Sequence, residues 1–225
     1  MRNQFKEILS SGRGTFLRKN DDEDLIIKIP KNKFKDVFLI NGCSFLTEIN
    51  SENDLKIAAN DFYMVINNGK TLLEISYSKD IANHQIIYNP YKFENAEKKT
   101  LTAEIFTEKF NIPQDYIDTL PKWYSFKFTY KDYNLIFIKP EFGISIQIHK
   151  YRNEFWEILC GNPIIINGNE VYYFVKDGTK FEIPIGYYHS IINPNKEKFV
   201  AIRERWRGKF DEDDIIRVFN PNNYS

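Results

Sequence analysis

From Trp123 to Trp206 the chain reads as a series of short apolar runs: "YSFKFTY", "NLIFI", "ISIQIH", "FWEILC", "PIIING", "EVYYFV", "TKFEIPI", "HSIINP" and "FVAIRERW". Turn residues cut the series every 6 to 12 positions, at Asp132, Gly143, Gly161, 167–169, Asp177-Gly178 and 193–195. Runs this short, rich in Ile, Val, Phe and Tyr, suit strands whose side chains alternate between two faces. Many such strands at close spacing cannot form one flat sheet; they close into a sandwich or barrel. The chain is therefore expected to be mainly β.

The first hundred residues carry similar but sparser runs, "LIIKI", "DVFLI", "FYMVI" and "TLLEI". "NNGK" separates the last two, and its Asn-Gly pair predicts a hairpin with positive φ angles. Residues 1–12 read as a short helix ending at Gly12 or Gly14. Around residue 100 the period changes: Leu101, Ile105, Phe106 and Phe110 recur at helical spacing behind a Thr cap, and Pro113 opens a second short helix that Pro121 ends. These signals divide the chain into a β-rich unit at 1–99, a helical connector at 100–120 and a second β unit at 121–225.

With 31 Lys plus Arg against 31 Asp plus Glu, no global field points to nucleic acid or an anionic membrane. No apolar run is long enough to span a bilayer, and no signal-peptide core follows Met1. The two cysteines, Cys43 and Cys160, sit among apolar residues and read as core-filling thiols of a reducing compartment. A soluble, cytoplasmic protein is the expectation.

Only three histidines are present, and two of them fall in segments that chemistry would bring together. Along 143–151, alternation puts Gln147, His149 and Tyr151 on one face and Ile144, Ile146 and Ile148 on the other. A turn at Arg152-Asn153 then leads to Glu154. A second segment runs Gly178, five residues, Pro184-Ile185-Gly186, two residues, His189, three residues, Asn193. It could deliver another imidazole to the same place.

These two segments resemble the paired motifs of the cupin superfamily, Gly-x5-His-x-His-x(2–4)-Glu-x6-Gly and Gly-x5-Pro-x-Gly-x2-His-x3-Asn. The second matches at each defined position; the first matches at Gly143, His149, Glu154 and Gly161, with Tyr151 in place of the second His. Within cupins the likeness is to the type II mannose-6-phosphate isomerase domain that is often fused to mannose-1-phosphate guanylyltransferase. "ISIQIHKYRNEFW" resembles that family's "LSLQxHxHRxEHW", and "DEDDIIR" (211–217) its "GEDDIVR".

The resemblance implies a double-stranded β-helix, or jelly roll, in the C-terminal half. It implies a divalent metal (Zn, Mn, Fe or Ni) held by His149, Glu154 and His189, with Gln147 as a fourth ligand. The ligand set does not choose among these metals. Because Tyr151 replaces a ligand, the same three residues could instead form a hydrogen-bonded cluster without metal. A carbohydrate ligand and a homodimer are also implied. Arg152 is retained from the family pattern, while Ser190 stands where Arg is common.

Two readings of function follow. In the first, the protein acts on a sugar phosphate or nucleotide sugar as an aldose–ketose isomerase. Lys150 or Tyr151 would then supply the base, and Arg152, Tyr188, Arg203 and Arg205 would bind substrate, guanidinium groups gripping phosphate bidentately. In the second it is a non-catalytic carbohydrate-binding or regulatory cupin.

The N-terminal unit offers echoes of the second. "MVINNGKTLLEI" (64–75) resembles "IIINGNEVYYFV" (164–175), and "HQIIYNP" (84–90) resembles "HSIINP" (189–194), which suggests a degenerate second cupin retaining only His84. "INGCSF" (40–45) resembles a hydrolase nucleophile block, but without an Asp-x-x-His pair Ser44 reads as part of an ordinary strand and turn.

Overall fold

The computed structural model describes residues 5–209 and 214–222. Antiparallel strands dominate, and they group into two compact units. One holds the residues up to Pro90 with Gly168–Val171 and Val218–Asn220; the other holds Tyr91–Asn167, Tyr172–Arg217 and the residues from Pro221.

In the first unit the strands are β1 (Lys6–Leu9), β2 (Leu17–Lys19), β3 (Leu25–Lys28), β4 (Val37–Asn41), β5 (Ser44–Leu46), β6 (Lys56–Ile57), β7 (Phe62–Asn67), β8 (Leu73–Tyr77) and β9 (Gln85–Tyr88). They form one sheet in the order β1-β8-β3-β6 and another in the order β5-β4-β7-β2-β9. Alternating residues of both sheets, among them Leu25, Ile27, Leu39, Val65 and Ile75, pack into one core.

Two expectations fail here. The helix predicted at 1–12 is strand β1, paired with β8 from Lys6↔Ser76 to Leu9↔Leu73, because a sheet edge was available to it (residues 1–4 lie outside the described ones). "NNGK" is no hairpin, since β7 and β8 belong to different sheets. Asn67 shapes the crossing instead: its side chain donates to the Leu9 and Thr71 carbonyls and accepts from Gly69 N–H. Ser44 lies in the β4–β5 hairpin and is exposed, with Gly42 at φ 56° in its turn.

The second unit contains α1 (Glu104–Lys109), β10 (Asp118–Pro121), β11 (Ser125–Thr129), β12 (Asn134–Ile138), β13 (Ile146–His149), β14 (Arg152–Cys160), β15 (Ile164–Asn167), β17 (Lys180–Ile183), β18 (His189–Ile192), β19 (Val200–Gly208) and the start of β20 (Ile215–Phe219), β16 being Glu170–Tyr172. Its sheets run β10-β11-β12-β19-β14-β17 and β20-β13-β18-β15. Helix α1 forms, though no side chain caps it, and it drives Phe106 against Phe126 and Phe137. The second helix predicted from Pro113 is absent; Asp118–Pro121 is the edge strand β10, paired with β11. Cys160 is half-buried, but Cys43 is exposed rather than core-filling.

The two units share one strand order. Counting β1 to β8 and β12 to β19 as two series of eight, the first, eighth, third and sixth strands form one sheet in each unit, and the second, seventh and fourth lie side by side in the other. This is the double-stranded β-helix, twice. Hydrogen bonds agree with it. Asn193, at the end of β18, donates to the Ile138 and Lys198 carbonyls and accepts from Asn195 N–H, just as Asn67 serves Leu9, Thr71 and Gly69. Gly14 bridges Ile66 as Gly143 bridges Ile192. Asn60 (φ 63°) precedes Tyr63 as Gly186 (φ 80°) precedes His189.

The repeat is thus real, in a register the sequence echoes missed. Strand β7, not β9, corresponds to β18, and 64–75 does not correspond to 164–175. Arg18 faces Tyr63 as Gln147 faces His189, and Leu25 faces Ile57 as Glu154 faces Ile183. The first unit therefore carries Arg18, Asn20, Leu25 and Tyr63 where the second has Gln147, His149, Glu154 and His189. His84 is no remnant of the ligand set; its Nδ1 hydrogen-bonds Tyr63 Oη at 2.7 Å.

Candidate functional site

The site begins with a break in alternation. Strand β13 ends at His149, and a bend at Lys150-Tyr151, not at Arg152-Asn153, turns the chain into β14. Asp214 holds the bend by accepting from both backbone N–H groups, at 2.7 and 3.2 Å. Arg152 is consequently the first residue of β14, and period 2 sends Arg152, Glu154, Trp156 and Ile158 inward together. Tyr151, on the bend, is 57 % exposed.

The structure brings together Gln147, His149, Glu154 and His189. His149 Nε2 lies 3.0 Å from Glu154 Oε1, and His189 Nε2 lies 3.7 Å from Glu154 Oε2. One donor atom from each of the three residues falls within 4.8 Å of the others, all of them buried. Gln147 Nε2 is 3.4 Å from His189 Nε2, across the β13–β18 ladder. At its other nitrogen His189 donates from Nδ1 to the Tyr187 carbonyl at 3.0 Å, which leaves the Nε2 lone pair facing the cluster. Burial pushes the His189 pKa down to about 4, so this imidazole is neutral at neutral pH.

Arg152 is part of the cluster rather than a residue at the barrel mouth. Its Nε donates to Glu154 Oε1 at 2.9 Å and its Nη2 to His149 Nε2 at 3.1 Å, while Nη1 lies 3.6 Å from Asp214. Trp156 Nε1 donates to the other Glu154 oxygen at 3.1 Å. Burial alone would raise the Glu154 carboxyl; its neighbours His149, His189 and Arg152 outweigh it and hold the pKa below the usual carboxylate range. Of these groups only the guanidinium is charged at every pH.

A cavity of about 100 Å³ adjoins the cluster. Gln147, Arg152, Glu154, Trp156 and Glu204 line it, with half-buried Lys122 and Lys127 and exposed Arg217. Glu204 accepts from Asn134 Nδ2 at 2.7 Å, and burial, aided by the Glu154 charge, raises its carboxyl pKa.

Other predicted site residues lie elsewhere. The side chains of Lys150 and Tyr151 are exposed and outside the cavity lining. Tyr188 is half-buried just ahead of β18 and does not line the cavity. Arg203 and Arg205 alternate with the cavity-lining Ile202 and Glu204 and so take the opposite face of β19, where Arg203 pairs with Glu157 at 2.8 Å. Sequence reasoning did not single out Asp214 or Glu204. Asp214 lies in the "DEDDIIR" tail already marked by resemblance (its residues 211–213 are outside the described ones); Glu204 was hidden among arginines.

Does the donor set suit a divalent metal? Two imidazoles and a carboxylate, buried and convergent, are the right chemistry, and His189 presents the correct tautomer. The residues fit, and Arg152 bonds two of the three.

Part of the chain is similar to known proteins. The family model for the C-terminal domain of mannose-6-phosphate isomerase matches residues 123–220. A mannose-1-phosphate guanylyltransferase of Klebsiella pneumoniae is 34% identical over 86 residues, 38% of this chain and 18% of its own length. A xanthan biosynthesis protein of Xanthomonas campestris is 32% identical over 82 residues, 36% of this chain and 17% of its own. The chain thus spans under a fifth of the length of these relatives. Among solved structures, a putative sugar phosphate isomerase of Acidithiobacillus ferrooxidans matches with a TM-score of 0.31 at 23% identity, over 35% of this chain and 50% of that one. Residues 123–220, folded as a double-stranded β-helix, are similar to the C-terminal domain of mannose-6-phosphate isomerase.

Proposed function

We propose that the second unit binds a hexose phosphate, with mannose 6-phosphate as the first candidate, and moves a proton between C1 and C2 to interconvert aldose and ketose. One observation carries this reading: the buried His149–Glu154–His189 cluster abuts a cavity rimmed by Lys122, Lys127 and Arg217. A cavity of about 100 Å³ admits the reacting end of a sugar and leaves the phosphate to the cationic rim.

His149, Glu154 and His189, with Gln147 beside them, would hold a divalent metal, which when bound polarises sugar oxygens as a Lewis acid. The chain's own residues supply the rest. Trp156 and Arg152 fix the Glu154 carboxylate from two sides, and the Tyr187 carbonyl sets the His189 ring. Arg152, bonded to Glu154 at 2.9 Å, lines the same cavity.

Deuterium incorporation at C2 of mannose 6-phosphate in D2O, followed by NMR, tests the reaction. Wild type should exchange and His189→Ala should not; exchange unaffected by that change would sink the proposal. A second reading, a non-catalytic sugar-binding module, is favoured by Arg152 being hydrogen-bonded to two of the three donors. Calorimetric binding of mannose 6-phosphate without any exchange would decide for it.

A further inference from the structure

We infer that Glu204 is the carboxyl that carries the proton between C1 and C2 of the sugar; this rests on the isomerase reading above. Among the described residues, the other acidic groups at the site are engaged. Glu154 is bonded to Arg152 and Trp156, and Asp214 is spent on the backbone of the 150–151 bend. A base that must take up and release a proton cannot be locked to a guanidinium.

Glu204 is placed differently. It lies on β19 opposite Trp156 of β14 and opens on the cavity that Gln147 and Glu154 also line. Its Oε1 is oriented by a neutral amide, Asn134, at 2.7 Å, which tolerates either protonation state. Burial chiefly, and the charge of Glu154 from β14, raise its proton affinity; Asn134 from β12, Lys127 from β11 and Arg152 from β14 oppose this. A carboxyl of raised proton affinity is the better carbon base once ionised. Lys150 and Tyr151, by contrast, hold exposed side chains off the cavity wall.

The step balances without any oxidant. Glu204 carboxylate takes the C2 proton; the C2–H electron pair forms the C1–C2 double bond, and the C1 carbonyl oxygen takes the negative charge. The Glu204 acid then returns the proton to C1, the O2 proton passes to O1, and the carbonyl is re-formed at C2.

The test uses the full chain with mannose 6-phosphate in D2O. Glu204→Gln keeps the volume and an oxygen for Asn134. It should slow C2 exchange by at least ~100-fold, with calorimetric affinity for mannose 6-phosphate within about 3-fold of wild type. Glu204→Ala should be equally slow and should regain at least ~10-fold with added formate, a rescue that a merely structural role would not give. Exchange by folded Glu204→Gln within about 3-fold of wild type, or no formate rescue of folded Glu204→Ala, overturns the assignment and leaves the isomerase reading standing. If wild type itself exchanges nothing, the isomerase reading falls and takes this one with it.

Discussion

Arg152 Nε stands 2.9 Å from Glu154 Oε1, two residues along one strand and on its inward face. The lone pairs of Glu154 and His149 converge, and the guanidinium supplies hydrogens to both. That is a cation's role, filled by a side chain.

Removing the guanidinium should therefore be costly. Arg152→Met leaves Glu154 and Asp214 buried without their shared cation, and losing one partner of such a pair costs ~3–5 kcal/mol. Thermal unfolding should drop by on the order of 10 °C. Lys at the same position should recover little of this, since one ammonium cannot reproduce the planar fork. A variant within about 2 °C of wild type would show the pairing to be incidental.

The repeat makes its own prediction. Asn67 and Asn193 each make two donations to carbonyls and one acceptance from a backbone N–H, in different sequence surroundings. Replacement by Ala orphans the same set of buried backbone groups in both barrels, at ~1–3 kcal/mol per site. Denaturant unfolding of Asn67→Ala and Asn193→Ala should give losses equal within about 1 kcal/mol.

Acid should weaken the second barrel in two stages. His189 is held near pKa 4 when folded, below its ordinary 6.5, so the unfolded chain binds the extra proton between these values. Stability must fall as pH drops through that window, by up to ~3 kcal/mol. Glu154, depressed below its ordinary 4.5, contributes stability above that pH and loses it on further acidification. Urea unfolding of EDTA-treated protein between pH 7 and 3 checks both. His189→Gln should flatten the upper stage alone.

Base should act through Glu204. Its folded pKa is raised, so the folded state holds the proton longer, and stability declines as pH rises from about 4.5 through the folded value. Glu204→Gln removes that slope. Its melting temperature relative to wild type should climb by ~2–4 °C or more from pH 5 to pH 9. A constant difference would place the carboxylate in an environment that solvates it.

Much of the fold was legible because a strand buried on one face declares its period locally. Gly178, Gly186, His189 and Asn193 could be read directly, since each is a local demand: a positive φ at the two glycines, a strand start at His189, a carbonyl clamp at Asn193. The N-terminal strand β1 and the absent hairpin at Asn68-Gly69 were not legible, because the partner strand decides in each case. The bend at Lys150-Tyr151 depends on Asp214, more than sixty residues away, so strict alternation put Tyr151 inward and Arg152 in a turn. Glu204 hid for a related reason: three arginines around it suggested a solvent face, and only the register against β14 turns it toward the cavity.

The two barrels separate what the architecture demands from what chemistry demands. Asn67 in one half and Asn193 in the other do the same work, as do the residues of positive φ at 60 and 186, whereas the His149–Glu154–His189 set occurs in one. Traits common to both copies belong to assembly, and traits confined to one belong to a task. The N-terminal copy, with Asn20, Leu25 and Tyr63 where the three donors stand, is thus an internal reference for how much of the barrel's stability needs no such set.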